Sequence, residues 1–302
     1  MKIFLTGATG YTGSIVCQRL IAAGHAIRAI ARRIPPRPSG PIEWVQADFA
    51  DGNAILQYVS TCDAAIHVGA SHDKDMERLD GIVIRAIADA FSGTGRTFIS
   101  TSATPVYGET GLIPRDEAEP ILAPHPLRAW RAQHDRDVVA LSARNIRSVV
   151  IRPGYIYGAA GGLLADMIRV ARKTGHAEYI GAGQNVTSTV HIDALAELYV
   201  LALDNAVARG VYNAVSDEYV RAEDIAKAVA YGFGPGIEAR SIPLEEARKR
   251  LGEYADLAVI NCVASSLRAR RDLNWIPSAP SLLGDLIGGS YQRQPLAPYH
   301  ST

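Results

Sequence analysis

Lysine is scarce in this chain. Of its 31 basic residues, 26 are Arg and 5 are Lys, and no lysine lies between Asp75 and Arg172. Cysteine is equally thin. Cys17, Cys62 and Cys262 are too few and too scattered for a disulfide framework or a zinc site. They read as small core residues of a cytoplasmic protein. An excess of either charge is also missing, because 31 Lys plus Arg balance 31 Asp plus Glu. A nucleic-acid partner and an anionic membrane surface both call for a basic excess, so neither is expected. The basic run Arg268-Ala-Arg-Arg271 is too short to alter that balance and reads as a solvated helix face. Long apolar runs are absent. The first residues reach Gly7 without the extended apolar stretch of a signal peptide. Nothing later approaches the roughly 20 apolar residues that span a bilayer.

What the chain does have is 302 residues with 48% hydrophobic content, enough for one large domain or two smaller ones. Short apolar runs at 2–6, 26–31, 43–45, 64–68, 97–100 and 147–152 read as strands, with helical patterns such as 14–23 and 127–143 between them. Continuous apolar strands alternating with helices predict an α/β fold with a doubly wound parallel sheet. After Gly158 the alternation loosens. The expected division is a nucleotide-binding domain over 1–158, with segments returning from about 186–215, and a smaller C-terminal substrate lobe over 159–302.

Gly7-Ala-Thr-Gly-Tyr-Thr-Gly13 places glycines three apart, directly after a strand and before a helix. Without Cβ the backbone turns tightly and approaches a pyrophosphate, while the helix N-terminus offers it unpaired N–H groups. Gly7, Thr9, Gly10, Tyr11, Thr12 and Gly13 are therefore the expected cofactor cradle of a Rossmann-type fold. An NAD-binding chain places an acid about 20 residues further on, against the ribose 2′-hydroxyl. Here Arg32 and Arg33 occupy the end of the second strand, and no acid follows until Glu43. Guanidinium groups match a 2′-phosphate, so NADP is favoured over NAD.

These residues and others downstream resemble the short-chain dehydrogenase/reductase superfamily, in its extended branch, the NAD-dependent epimerase/dehydratase group. Thr6 and the glycines are similar to its TGxxGxxG loop. Asp48 after the third strand resembles its adenine-contacting acid. The run Phe98-Ile-Ser-Thr-Ser-Ala-Thr-Pro-Val-Tyr-Gly108 resembles its serine strand and SSxxVYG continuation, with Pro105 as an extra residue. Arg152-Pro-Gly-Tyr-Ile-Tyr-Gly158 is similar to its RPxxxYG turn beside the nicotinamide, which implies a cofactor contact for Pro153. Val190-His-Ile-Asp193 and Tyr212-Asn213 resemble its HVxD and YN elements. The resemblance implies a small-molecule substrate, commonly a nucleotide sugar, and often a homodimer.

The same resemblance exposes a gap. The family's chemistry rests on Tyr-x-x-x-Lys, with both side chains on one helix face. The lysine charge lowers a phenol pKa that is otherwise about 10. None of the 13 tyrosines here has Lys four residues later. Aligning the helix before Arg147 puts Trp130 in the tyrosine's place and His134 in the lysine's. Indole has no useful acid or base function. The candidate catalytic residues are therefore Ser102, which would hold the substrate oxygen, Tyr107 as the leading proton donor, and His134; Tyr155 is a further candidate. Three readings stay open: an NAD(P)-dependent oxidoreductase with a substitute donor, a non-redox isomerase, cyclase or epimerase-like enzyme, or an inactive NADP-binding sensor or scaffold. His67 reads as a core histidine and the pair His191 and Asp193 as structural, since a metal site needs further ligands. His72, Asp73 and Asp75 read as a polar loop at the open end of the sheet.

Overall fold

The computed structural model describes residues 1–35, 41–70, 75–216 and 218–297. Strands and helices alternate from the start: β1 (Lys2–Thr6), α1 (Tyr11–Ala22), β2 (Ala26–Ala31), β3 (Ile42–Gln46), α2 (Gly52–Val59), β4 (Ala64–His67), α3 (Met76–Phe91), β5 (Thr97–Thr101), α4 (Ala129–Ala140) and β6 (Arg147–Pro153). There follow β7 (Tyr155–Tyr157), α5 (Gly162–Thr174), β8 (His176–Ile180), β9 (Val186–His191), α6 (Ile192–Asp204), β10 (Gly210–Ala214), β11 (Tyr219–Arg221), α7 (Ala222–Phe233) and β12 (Glu238–Ile242). Short helices complete the C-terminal part. The helical pattern expected over 127–143 is α4 flanked by single 3₁₀ turns. Pro126 opens the first turn, and Asn145, in the left-handed region at φ 54°, closes the second.

Seven strands form one sheet in the order β10-β6-β5-β4-β1-β2-β3, with every pairing parallel. The chain runs outward from β1 to β3 and then crosses back to β4, so the switch point lies between β1 and β4. The apolar runs are continuous because each strand feeds two cores. Ile3, Leu5, Ile66, Ile99 and Val149 join Val16, Leu20, Leu195 and Tyr199 on the face of α1 and α6. Phe4, Ala65, Phe98 and Val150 join Ile55, Val83, Ile87 and Val138 on the face of α2, α3 and α4.

Of the segment 186–215, α6 and β10 rejoin this sheet, while β9 pairs with β7 and β11 in a separate three-stranded sheet. A third core gathers Tyr157, Leu164, Ile168, Ile225, Val229, Leu282 and Leu286 around α5 and α7. Among the described residues no helix is long and apolar enough to cross a membrane.

Candidate active site

The glycine loop joins β1 to α1 at the switch point. A Cβ on Gly13 would lie 2.0 Å from the Gly7 carbonyl oxygen, and one on Gly7 would lie 2.5 Å from the Gly69 nitrogen. Backbone therefore crowds backbone here. Gly10 caps α1 without a side-chain hydrogen bond, and the first turn holds no acid. The N–H groups of Tyr11 and Thr12 have no intrahelical acceptor, and the helix dipole makes this end positive. Thr9 is exposed at the rim of the loop. The Tyr11 side chain turns away from it. Its hydroxyl donates to the Gly158 carbonyl at 2.8 Å, and its ring fills the space beside Gly161 and Gly162.

At the end of β2, Arg32 and Arg33 are exposed and have no ion-pair partner among the described residues. Glu43 is engaged elsewhere, 2.7 Å from both Lys2 and Arg28. Asp48 is exposed, and its Oδ1 accepts the Ala50 N–H at 2.8 Å.

A chain of polar groups crosses from β1 to α4. Thr6 Oγ1 accepts the Gly69 N–H at 3.0 Å, which leaves its own proton for His67 Nδ1 at 2.7 Å. His67 Nε2–H then faces Asp80 Oδ1 at 2.9 Å, and His134 Nδ1 faces Asp80 Oδ2 at 2.9 Å. His67 and Asp80 are buried on β4 and α3. Burial raises the Asp80 carboxyl, but the two imidazoles outweigh it and hold the group below the usual carboxylate range.

A second network lies under the ends of β5, β6 and β10. Ser102 Oγ donates to Asp135 Oδ2 at 2.8 Å, and Arg152 Nε donates to the same oxygen at 2.8 Å. Arg152 Nη1 reaches the Tyr107 hydroxyl at 2.9 Å, which in turn donates to Asn213 Oδ1 at 3.0 Å. Burial raises both the Asp135 carboxyl and the Tyr107 phenol, so Tyr107 stays neutral at ordinary pH. Ser102 and Tyr107 are thus joined through one ion pair, while His134 belongs to the Asp80 chain. Pro153 is buried at the end of β6. Burial pushes the nearby Tyr155 phenol above its usual value.

On α4 the face turned to β5 carries Arg131 and Asp135. Arg131 Nη1 donates to the Thr101 carbonyl at 2.9 Å. Trp130 and His134 lie on the adjoining face, edge to face at 5.2 Å. The i, i+4 spacing placed Trp130 and His134 together correctly, but spacing alone does not say which face meets the sheet. Asp80, Arg131 and Asp135 carry site contacts that motif reading missed, while Asn213 stands out in the sequence only as part of the Tyr212-Asn213 resemblance. The available signal was charge at buried helical positions: Asp135 between Ala132 and Val138, and Asp80 beside Leu79 and Val83.

His191 caps α6 by accepting the Asp193 N–H at Nδ1, 3.2 Å. Asp75 is exposed and pairs with Arg78. His72 and Asp73 lie outside the described residues. Among the described residues no three metal-ligating side chains converge.

A parallel sheet in this strand order, with a glycine loop at its switch point, defines a dinucleotide-binding Rossmann-type protein. The sequence model of the NAD dependent epimerase/dehydratase family matches residues 3–214, and the chain belongs to that family. It is 30% identical over 301 residues to an uncharacterized protein of Schizosaccharomyces pombe, covering 96% of this chain and 100% of the relative. A 2-alkyl-3-oxoalkanoate reductase of Stenotrophomonas maltophilia is 26% identical over 221 residues, 68% of this chain and 66% of that one. The fold is shared with DesIV, the dTDP-glucose 4,6-dehydratase of Streptomyces venezuelae solved with NAD bound. There the TM-score is 0.81 at 17% identity, over 97% of each chain.

Proposed function

We propose that the protein is an NADP-dependent oxidoreductase that reduces a carbonyl group of a small organic molecule without a Tyr-x-x-x-Lys pair. The observation that carries this is the combination of a cradle that admits no Cβ at Gly7 or Gly13 with two guanidinium groups at the end of β2 that have no ion-pair partner among the described residues. The cradle fits a pyrophosphate, and Arg32 with Arg33 fits a 2′-phosphate. Thr9, Gly10 and the N–H groups of Tyr11 and Thr12 would hold the phosphates, Asp48 the adenine side, and Pro153 the nicotinamide side. When bound, the nicotinamide supplies a hydride. The reductase of Stenotrophomonas maltophilia supports a carbonyl as the acceptor.

In this reading Ser102 and Tyr107 position the site through Asp135 and Arg152. Both hydroxyls are committed to buried partners, and a raised phenol pKa makes Tyr107 a poor base. His134 positions α4 against α3 through Asp80. The proton that completes reduction comes, in this reading, from solvent rather than from Tyr107. Three free, buried cysteines suit a reducing cytoplasm.

Titration of the protein with NADPH and NADH, followed by nicotinamide fluorescence, tests the cofactor assignment. NADPH is expected to bind at least about tenfold tighter, and Arg32→Ala with Arg33→Ala to remove that preference. Equal binding of both nucleotides by the wild type would overturn it.

A further inference from the structure

Arg131 holds its guanidinium over the C-terminal end of β5, anchored by Nη1 on the Thr101 carbonyl. Its Cζ lies over the Trp130 indole, 4.4 Å from the ring centroid. Trp130, in the place expected for a catalytic tyrosine, thus serves as a platform. Among the described residues the other donors, Nε and Nη2, have no hydrogen-bond partner, and no carboxylate lies within ion-pairing distance of Arg131. The side chain is half-buried, and burial pulls its pKa down.

Charged groups that lose water in this way are ordinarily paired. The two carboxylates whose field reaches Arg131 are already taken, Asp80 by His67 and His134, and Asp135 by Arg152 and Ser102. Arg128, one turn earlier, adds a second half-buried cation whose field also acts on Arg131. Its hydrogen bond goes to the neighbouring Leu127 carbonyl, its Cζ lies 5.5 Å from the Tyr254 ring centroid, and among the described residues it too has no carboxylate partner. A chain of zero net charge therefore opens α4 with two guanidinium groups that have no carboxylate partner among the described residues. The glycine loop follows β1, and β5 lies two strands away, roughly 10 Å across the sheet. An anion at the loop leaves Arg131 without a counter-charge.

We propose that Arg131, backed by Arg128, binds a carboxylate of the substrate, so that the substrate class is an oxo acid. This rests on the carbonyl-reduction reading above. The planar fork of a guanidinium matches the two oxygens of a carboxylate. A neutral ketone brings no charge to offset the desolvated cation, whereas a carboxylate does so in the ground state. The carbonyl of such a substrate lies beside the ends of β4 and β5, where α/β sheets place their ligands.

The test compares 3-oxooctanoate with its methyl ester, which keeps the carbonyl and removes the charge. Binding of each is measured by calorimetry on wild type, Arg131→Gln and Arg131→Lys, with and without NADP, alongside an NADPH titration of every variant. The acid should bind wild type at least about tenfold tighter than the ester. Arg131→Gln should abolish that preference while NADPH affinity stays unchanged, and Arg131→Lys, which keeps charge but not the fork, should retain part of it. If wild type binds acid and ester alike, or binds neither, or if Arg131→Gln keeps the preference, the oxo-acid assignment is overturned. Loss of NADPH binding by wild type would instead remove the oxidoreductase reading. Should Arg131→Gln fail to fold, an acid preference as large in Arg131→Lys as in wild type, undiminished by Arg128→Gln, would overturn the assignment.

Discussion

Asp135 and Arg152 form an ion pair, Oδ2 to Nε at 2.8 Å, in which each side chain is only 5% exposed. The aspartate comes from the middle of α4 and the arginine from the end of β6, and the same oxygen also accepts the Ser102 hydroxyl. A pair so placed fixes the α4 face that looks onto β5.

Breaking this pair should be expensive. Asp135→Ala strands a buried guanidinium and is expected to lower stability by about 3–5 kcal/mol. The double change Asp135→Leu with Arg152→Met should recover much of that loss, because no charge is left unpaired. Urea denaturation of the three proteins measures both effects. A loss under about 1 kcal/mol in Asp135→Ala would show that the pair does not hold α4 in place.

Tyr107→Phe removes the hydroxyl between Arg152 and Asn213. Two buried polar groups lose a partner, so stability should fall by about 1–3 kcal/mol while NADPH affinity stays the same. Turnover should fall with it, through misplacement of Arg152. A large drop in kcat with no change in the denaturation midpoint would instead make the phenol a proton donor to substrate.

Asp80 gives the stability curve an acid limb. Its folded carboxyl sits below the ordinary value, with His67, His134 and Arg131 as the groups facing it. Its contribution is therefore complete above the unfolded value of about 4 and is lost as pH falls below that, toward the folded value. Asp80→Asn should melt lower than wild type at pH 7, with the gap narrowing between about pH 4.5 and 2.5. Thermal melts across that range provide the check. A gap independent of pH would mean that the carboxylate charge contributes nothing.

Gly13→Ala places a methyl group 2.0 Å from the Gly7 carbonyl oxygen. The loop must shift to admit it, and the N–H groups of Tyr11 and Thr12 shift too. The melting temperature should fall, and NADPH should bind at least about tenfold more weakly. Gly24→Ala is the matching control. It sits at φ +87° with nothing near its Cβ, so it should cost stability while leaving NADPH binding intact.

The glycine loop of this protein was legible in the order of its residues. Gly7, Gly10 and Gly13 are neighbours in sequence, follow one strand and open one helix, so the turn they make is set within seven positions. The parallel sheet was legible for a related reason: strands buried on both faces must be apolar throughout. The scarcity of lysine by itself excludes the usual catalytic pair.

Only the tertiary structure decided what stands in that pair's place. Spacing puts Trp130 with His134 and Arg131 with Asp135 equally well. The two faces differ by one residue, about 100° of helix rotation. What selects between them is the buried contact of Asp135 with Arg152, from β6, and the reach of His134 to Asp80, from α3. Those partners are 17 and 54 positions away in the chain. Local sequence sets which residues share a helix face. Packing against distant elements sets where that face points, because only there can buried charge find its counter-charge.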